Sequence, residues 1–190
     1  MERIKKSLLE SAELKKVVAE TLADKILEAA RLVRSGLAQG GKLLLMGNGG
    51  SAADAQHLAA ELVGRYKRER KALSAIALTV DTSALTCLGN DYGFDSVFER
   101  QVEALARPGD VVIGISTSGN SENVVRGIRK ANAIGAATIG FLGNDGGKLR
   151  GLVRLAIVVP SKDTARIQES HITIGHIICE IVEQEMMNEI

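Results

Sequence analysis

Five short runs of this chain, Lys42–Met46, Ala75–Val80, Asp110–Ile115, Ala137–Leu142 and Val153–Val159, are near-continuous stretches of Leu, Ile, Val, Ala and Gly. A strand with one wet face alternates apolar and polar residues. Runs without that alternation read as strands covered on both faces. Between them lie segments with helical spacing, at about 51–68, 94–106 and 120–134. Two further helices are predicted near 2–20 and 22–38, and a long one near 163–188. Strands alternating with helices require right-handed crossovers and a parallel sheet. The expected fold is therefore α/β, a three-layer αβα sandwich around a five-stranded parallel sheet with extra N- and C-terminal helices, and the strand order taken for it is 2-1-3-4-5. The 190 residues suit one core, and no repeat or low-complexity linker interrupts them. The chain reads as a single domain over 1–190, with helices at 1–40, the sheet and its crossovers at 41–160, and the closing helix at 163–188. The first helix puts Ile4, Leu8, Ala12 and Val18 on roughly one face. Both terminal helices have two readings, covering the sheet or packing against another subunit.

Charge narrows the function. Lys and Arg total 24 against 23 Asp and Glu, a net +1, which argues against a surface built to coat nucleic acid or an anionic membrane. An acidic small molecule held at one local site remains compatible. Aromatic residues are 3% with no Trp, so the stacking platforms of single-strand binders are missing. Two cysteines, Cys87 and Cys179, make neither a disulfide framework nor a Cys-rich zinc module. The opening MERIKKSLLESAELKK is amphipathic, unlike a secretory signal, and no window has the length of a membrane span. A cytoplasmic location is expected.

Two loops carry the chemistry. Gly47-Asn48-Gly49-Gly50-Ser51-Ala52 joins the first strand to a helix, where glycines let backbone N–H groups approach an anion and the helix N-terminus adds partial positive charge. The plain alternative is a tight turn with Ser51 as the helix N-cap. Gly47, Gly49 and Ala52 also fit the dinucleotide pattern, but Asp81 lies far beyond the spacing of about 20 residues that pattern uses. Ser116-Thr117-Ser118-Gly119-Asn120-Ser121 follows the third strand with four hydroxyls in six residues, more than an N-cap needs. In a 2-1-3-4-5 sheet strands 1 and 3 are neighbours, and their following helices lie on opposite faces. Both loops then border one crevice at the strands' carboxyl ends, suited to a phosphorylated small molecule. Asn144-Asp145-Gly146-Gly147 reads as a turn.

His57 and Glu61 are four apart on one helical face, a spacing that serves metal ligation or acid–base work. Arg65 continues that face, to neutralise an anion or to pair with Glu61. On the closing helix, Gln168, His171 and His176 form a second group. Spacing alone does not choose between the two histidines.

Taken together, GNGGSAADAQHLAAELVGRY at 47–66, GNDYGF at 89–94, GISTSGNS at 114–121 and RIQESHITIGH at 166–176 resemble the phosphoheptose isomerases, members of the sugar isomerase (SIS) fold family. The resemblance covers essentially the whole chain. It implies a homotetramer that interconverts sedoheptulose 7-phosphate and D-glycero-D-manno-heptose 7-phosphate, the first step toward activated heptose for lipopolysaccharide and other surface polysaccharide. It implies zinc ligands at His57, Glu61, Gln168 and His176, and acid–base residues at Glu61 and His176. It implies phosphate contacts at Ser116, Thr117, Ser118 and Ser121, and sugar contacts at Asn48, Gly49, Gly50, Asn90, Asp91 and Gln168. Ser51, Glu61 and Arg65 complete the substrate-binding set. The related DnaA initiator-associating protein shares the fold and loops without the catalytic Glu and final His. A non-catalytic phosphosugar-binding regulator of that kind is the alternative, and the presence of Glu61 and His176 favours the enzyme. A nucleotide-dependent oxidoreductase is the other rival class. The stretch Lys67–Leu73 departs from the commoner Arg-Pro-containing version.

Moving a proton between neighbouring carbons through an enediol needs a base, an acid and charge stabilisation on oxygen. Glu61 is expected as base, His176 as acid, and a divalent metal as the polarising group. Glu61 and His176 are more than a hundred positions apart. The two terminal helices and the resemblance to a tetrameric family lead to the expectation that a neighbouring subunit lends the final helix.

Overall fold

The structure, a computed structural model, describes residues 1–187. In chain order the elements are α1 (Glu2–Ala38), β1 (Leu43–Gly47), α2 (Gly50–Val63), β2 (Ala75–Ala77), α3 (Thr82–Tyr92), α4 (Val97–Leu105), β3 (Val111–Ser116), α5 (Glu122–Ile134), β4 (Ala137–Leu142), β5 (Leu155–Val158) and α6 (Thr164–Met187), with short 3-10 turns at Phe94–Ser96 and Lys148–Gly151. The strands form one parallel sheet of order β2-β1-β3-β4-β5, the predicted order. Every residue of β1 and β3 is buried, as their unbroken apolar runs require. Successive side chains of a strand point to opposite faces. Leu43 and Leu45 therefore join a core with α1, α2 and α6, while Leu44 and Met46 join a second core with α4 and α5. The helices after β1 and β3 accordingly lie on opposite faces, which opens the crevice between them. No helix among the described residues is long and apolar enough to cross a membrane.

The structure departs from several expectations. The two predicted N-terminal helices are one helix of 37 residues. No glycine or proline separates them, and the helix runs through Thr21, whose hydroxyl donates to Val17 O at 2.7 Å without ending it. Of Ile4, Leu8, Ala12 and Val18, only Val18 is buried. The second strand ends at Ala77, after which Leu78 N–H still donates to Leu45 O and the chain turns so that Asp81 caps α3 through Ala84 N–H. Helix α3 itself was not anticipated. It has no buried residue and is built largely from weak helix formers such as Thr, Ser, Cys, Gly and Asn, so neither periodicity nor propensity marks it. Helix α2 stops at Val63 instead of running to 68. The Arg70 guanidinium takes up the carbonyls of Glu61 and Leu62 at its end, both at 2.8 Å. The predicted position 188 of the closing helix lies outside the described residues.

Candidate active site

Helix α6 lies against α2 within the same chain. They pack tightly at Gly175, where a Cβ would sit 2.6 Å from both Leu58 methyl carbons. That proximity brings the next residue, His176, to His57, with the two Nε2 atoms 2.8 Å apart. Glu61 Oε1 is 3.3 Å from His57 Nε2. One ligand atom from each of His57, Glu61 and His176 falls within 4.8 Å of the others. The expectation that Glu61 and His176 come from different subunits is therefore overturned: α6 folds back over its own α2.

Two imidazoles and a carboxylate are a donor set that holds a divalent metal. Tetrahedral zinc at about 2.0–2.1 Å from nitrogen spaces two ligand nitrogens about 3.3 Å apart, so a small opening of the histidine pair accommodates it. Gln168 lies elsewhere. It is two turns before His176 on α6, about 12 Å of helix rise, and its amide packs over the glycine loop, where a Cβ on Gly50 would come 2.7 Å from Gln168 Oε1. His171 is fully buried, its Nε2 2.9 Å from Leu142 O, and burial pushes its pKa down to about 4 despite that bond. It belongs to the core, and of the two histidines His176 is the one at the cluster.

The glycine loop caps α2 at Gly49 (φ 56°), not Ser51, which is buried one residue inside the helix. Asn48 and Asn123 exchange two side-chain hydrogen bonds of 2.9 Å and so fasten the glycine loop to the start of α5. In the hydroxyl loop, Ser116 Oγ and Ser121 Oγ are 2.9 Å apart, and Ser118 Oγ accepts from Asn120 N–H. Gly119 has φ 67°, and a Cβ there would fall 1.9 Å from Gly146 O. The turn at 144–147 is thus the brace of this loop, through Asn144 Nδ2 to Thr117 O and Leu149 N–H to Gly119 O, each 3.0 Å. A small cavity of about 130 Å³ lies beside Asn48, Gly49, Thr79 and Phe94. Asn90 and Asp91 are exposed near the end of α3, joined by a 2.8 Å hydrogen bond. Arg65 sits beyond α2 and is 3.7 Å from Glu69, not paired with Glu61. Asp81, the acidic residue of the dinucleotide reading, serves as the α3 cap.

Sequence reasoning missed three residues. Asn123 is the partner of Asn48. Asp54, one turn before His57, has Oδ2 buried without a hydrogen bond, and burial raises its pKa against the opposing effect of His57. Tyr66 lays its ring 5.6 Å from the His176 ring, centroid to centroid. The i, i+3 spacing of Asp54 and His57 was legible; the other two contacts cross between distant elements.

The model of the SIS domain family matches residues 8–143. The chain is similar to the phosphoheptose isomerase of Aquifex aeolicus (strain VF5), 59% identical over 184 residues that cover 97% of this chain and 96% of that one. Its fold superposes on the solved phosphoheptose isomerase of Neisseria gonorrhoeae with a TM-score of 0.92, at 46% identity over 96% of this chain and 98% of the other. For the solved phosphoheptose isomerase of Francisella tularensis the TM-score is 0.93, at 37% identity over 96% and 97%.

Proposed function

The chain belongs to the SIS domain family and, within it, to the phosphoheptose isomerases, and from that membership we infer how its residues divide the work of isomerisation. Glu61 removes the proton from the carbon beside the carbonyl, and His176 manages the proton on the oxygen as sedoheptulose 7-phosphate and D-glycero-D-manno-heptose 7-phosphate interconvert. A base and an acid must reach one substrate together, and the observation that carries the reading is the single cluster of His57, Glu61 and His176. These three residues would hold a zinc ion, which when bound supplies charge stabilisation for the substrate oxygens. Ligation weakens a carboxylate base and occupies an imidazole nitrogen, so the proton-transfer roles of Glu61 and His176 call for their exchange out of the ligand set, while His57 serves as a ligand alone. The hydroxyl loop of Ser116, Thr117, Ser118 and Ser121 holds the phosphate. The glycine loop, Asn90, Asp91 and Gln168 hold the sugar, and remote phosphate binding positions the reacting end.

The assembly reading follows from lengths. His57 and Glu61 lie about 10 and 16 Å of helix rise beyond Gly50, while Asn48, before Gly50, is bonded to Asn123 at the start of α5, next to the phosphate loop. A seven-carbon sugar phosphate held in one chain's loops does not, in our reading, reach that chain's own cluster. In our reading the sugar held by one subunit is served by the Glu61 and His176 of a neighbour, and Gln168 joins the metal set only across that contact. Exposed Ile4, Leu8, Leu9 and Ile177, with an apolar groove of about 250 Å³ between α1 and α6, support packing against further copies, as a homotetramer. The reaction is placed in the cytoplasm, at the entry to activated heptose for surface polysaccharide.

The test is product analysis after incubation of the purified protein with sedoheptulose 7-phosphate. The aldose heptose 7-phosphate is expected, with conversion lost on chelation and restored by zinc. No aldose product would overturn the substrate reading. Full conversion by protein shown to be metal-free would remove the metal.

A further inference from the structure

Glu183, near the end of α6, is 1% exposed. Its Oε1 accepts from Tyr66 N–H and its Oε2 from Lys67 and Arg68 N–H, all at 2.9 Å, and Arg70 Nε lies 3.3 Å from Oε1. Burial pushes this carboxyl up, but the three backbone donors and the Arg70 charge hold it below the usual carboxylate range. A buried carboxylate is costly unless its lone pairs are satisfied. Here it is satisfied by a segment after α2 that has neither helix nor strand hydrogen bonds of its own.

That segment carries Tyr66. The Tyr66 ring meets the His176 imidazole at 5.6 Å and 33°. Beside the ring, the Lys67 ammonium sits 5.1 Å from its centroid and is held by Glu180 at 2.8 Å. The His176 imidazole bonds His57 through Nε2. Among the described residues no hydrogen bond holds its Nδ1, and the rings of His57 and Tyr66 pack against it at 5.0 and 5.6 Å between centroids. Arg70 already secures the end of α2, so the three backbone bonds to Glu183 add the placement of Tyr66.

We propose that Glu183 is a positioning residue for His176, acting through Tyr66: its buried carboxylate shapes the 66–68 backbone so that the Tyr66 ring fixes the imidazole for proton transfer. The proposal rests on the reading of His176 as the acid. Groups that orient a catalytic or ligating histidine typically contribute about 10–100-fold.

The experiment compares Tyr66→Ala, Tyr66→Phe, Glu183→Gln, the Tyr66→Ala/Glu183→Gln double variant and His176→Ala, with kcat and KM for sedoheptulose 7-phosphate and the melting temperature of each. Tyr66→Ala is expected to lose at least about tenfold in kcat, with KM changed less than about twofold and little change in melting. Tyr66→Phe keeps the ring and should match the parent. Glu183→Gln should lose a similar factor, and the double variant no more than the worse single, because both break one contact. Parent-like kcat in Tyr66→Ala, or losses that multiply in the double variant, would overturn the proposal. If Glu183→Gln does not fold, the two Tyr66 variants decide. An inactive His176→Ala beside a parent-like Tyr66→Ala rejects the positioning role alone, whereas an active His176→Ala rejects the acid reading and the proposal with it.

Discussion

His171 and His176 stand five positions apart on α6, yet one is sealed in the core and the other meets His57. The neutral His171 imidazole is favoured in the fold because burial disfavours its charge, so its pKa is about 4 against an ordinary value of 6.5. The unfolded chain binds that proton more readily. The contribution, about 3 kcal/mol, is complete above pH 6.5 and is lost as pH falls towards 4. Urea midpoints measured from pH 4 to 7 should show this decline, and His171→Gln, whose amide can still donate to Leu142 O, should flatten it while keeping turnover within a few-fold. A turnover collapse in that variant would mean the wrong histidine has been assigned. Glu61→Gln keeps the side-chain shape and removes the base. Isomerisation should fall by about 10²–10⁴ with substrate binding largely intact, and near-parent turnover would take Glu61 out of the mechanism. The i, i+4 spacing of His57 and Glu61 was readable without a structure, since a helix puts such residues on one face. The choice of His176 was not readable from spacing, and came from the family resemblance.

Helices α2 and α6 make the cluster only because Gly175 lets them approach. An alanine there meets the Leu58 methyls at 2.6 Å, and Leu58 is itself buried. Gly175→Ala should cost about 1–3 kcal/mol and reduce retained metal as His57 and His176 move apart. Gly151→Ala, whose Cβ meets nothing within 4 Å, serves as the control in the same denaturation and metal-content measurements. If the two variants behave alike, close packing at Gly175 does not set the site. Continuous apolar runs made the buried strands legible. The unbroken α1 was misread as two helices because nothing in the local pattern says whether a helix continues through Thr21. Helix α3 escaped for the opposite reason, having no buried face to announce it.

At the scale of the molecule, subunit mixing separates the two ways of building a site. Glu61→Ala and His176→Ala chains, exchanged with each other, should recover no activity, because both groups belong to one cluster in one chain. Glu61→Ala exchanged with an inactive Gln168→Ala should recover some, since one chain then supplies an intact sugar loop and the other an intact cluster. Recovery in the first mixture, or none in the second despite exchange shown by mass spectrometry, would contradict the assembly described above. The sequence alone determined the parallel sheet and the loops that follow its strands, because burial on both faces and the hydroxyl and glycine content of short loops are local properties of the chain, whereas the strand order, expected as 2-1-3-4-5, was established by the pairing itself. Only the tertiary structure decided that α6 returns to its own α2, that Gln168 lies over Gly50 away from His176, and that Glu183 shapes the segment carrying Tyr66. Each of those depends on packing between residues far apart in sequence, where side-chain volume and helix approach, not periodicity, set which groups meet.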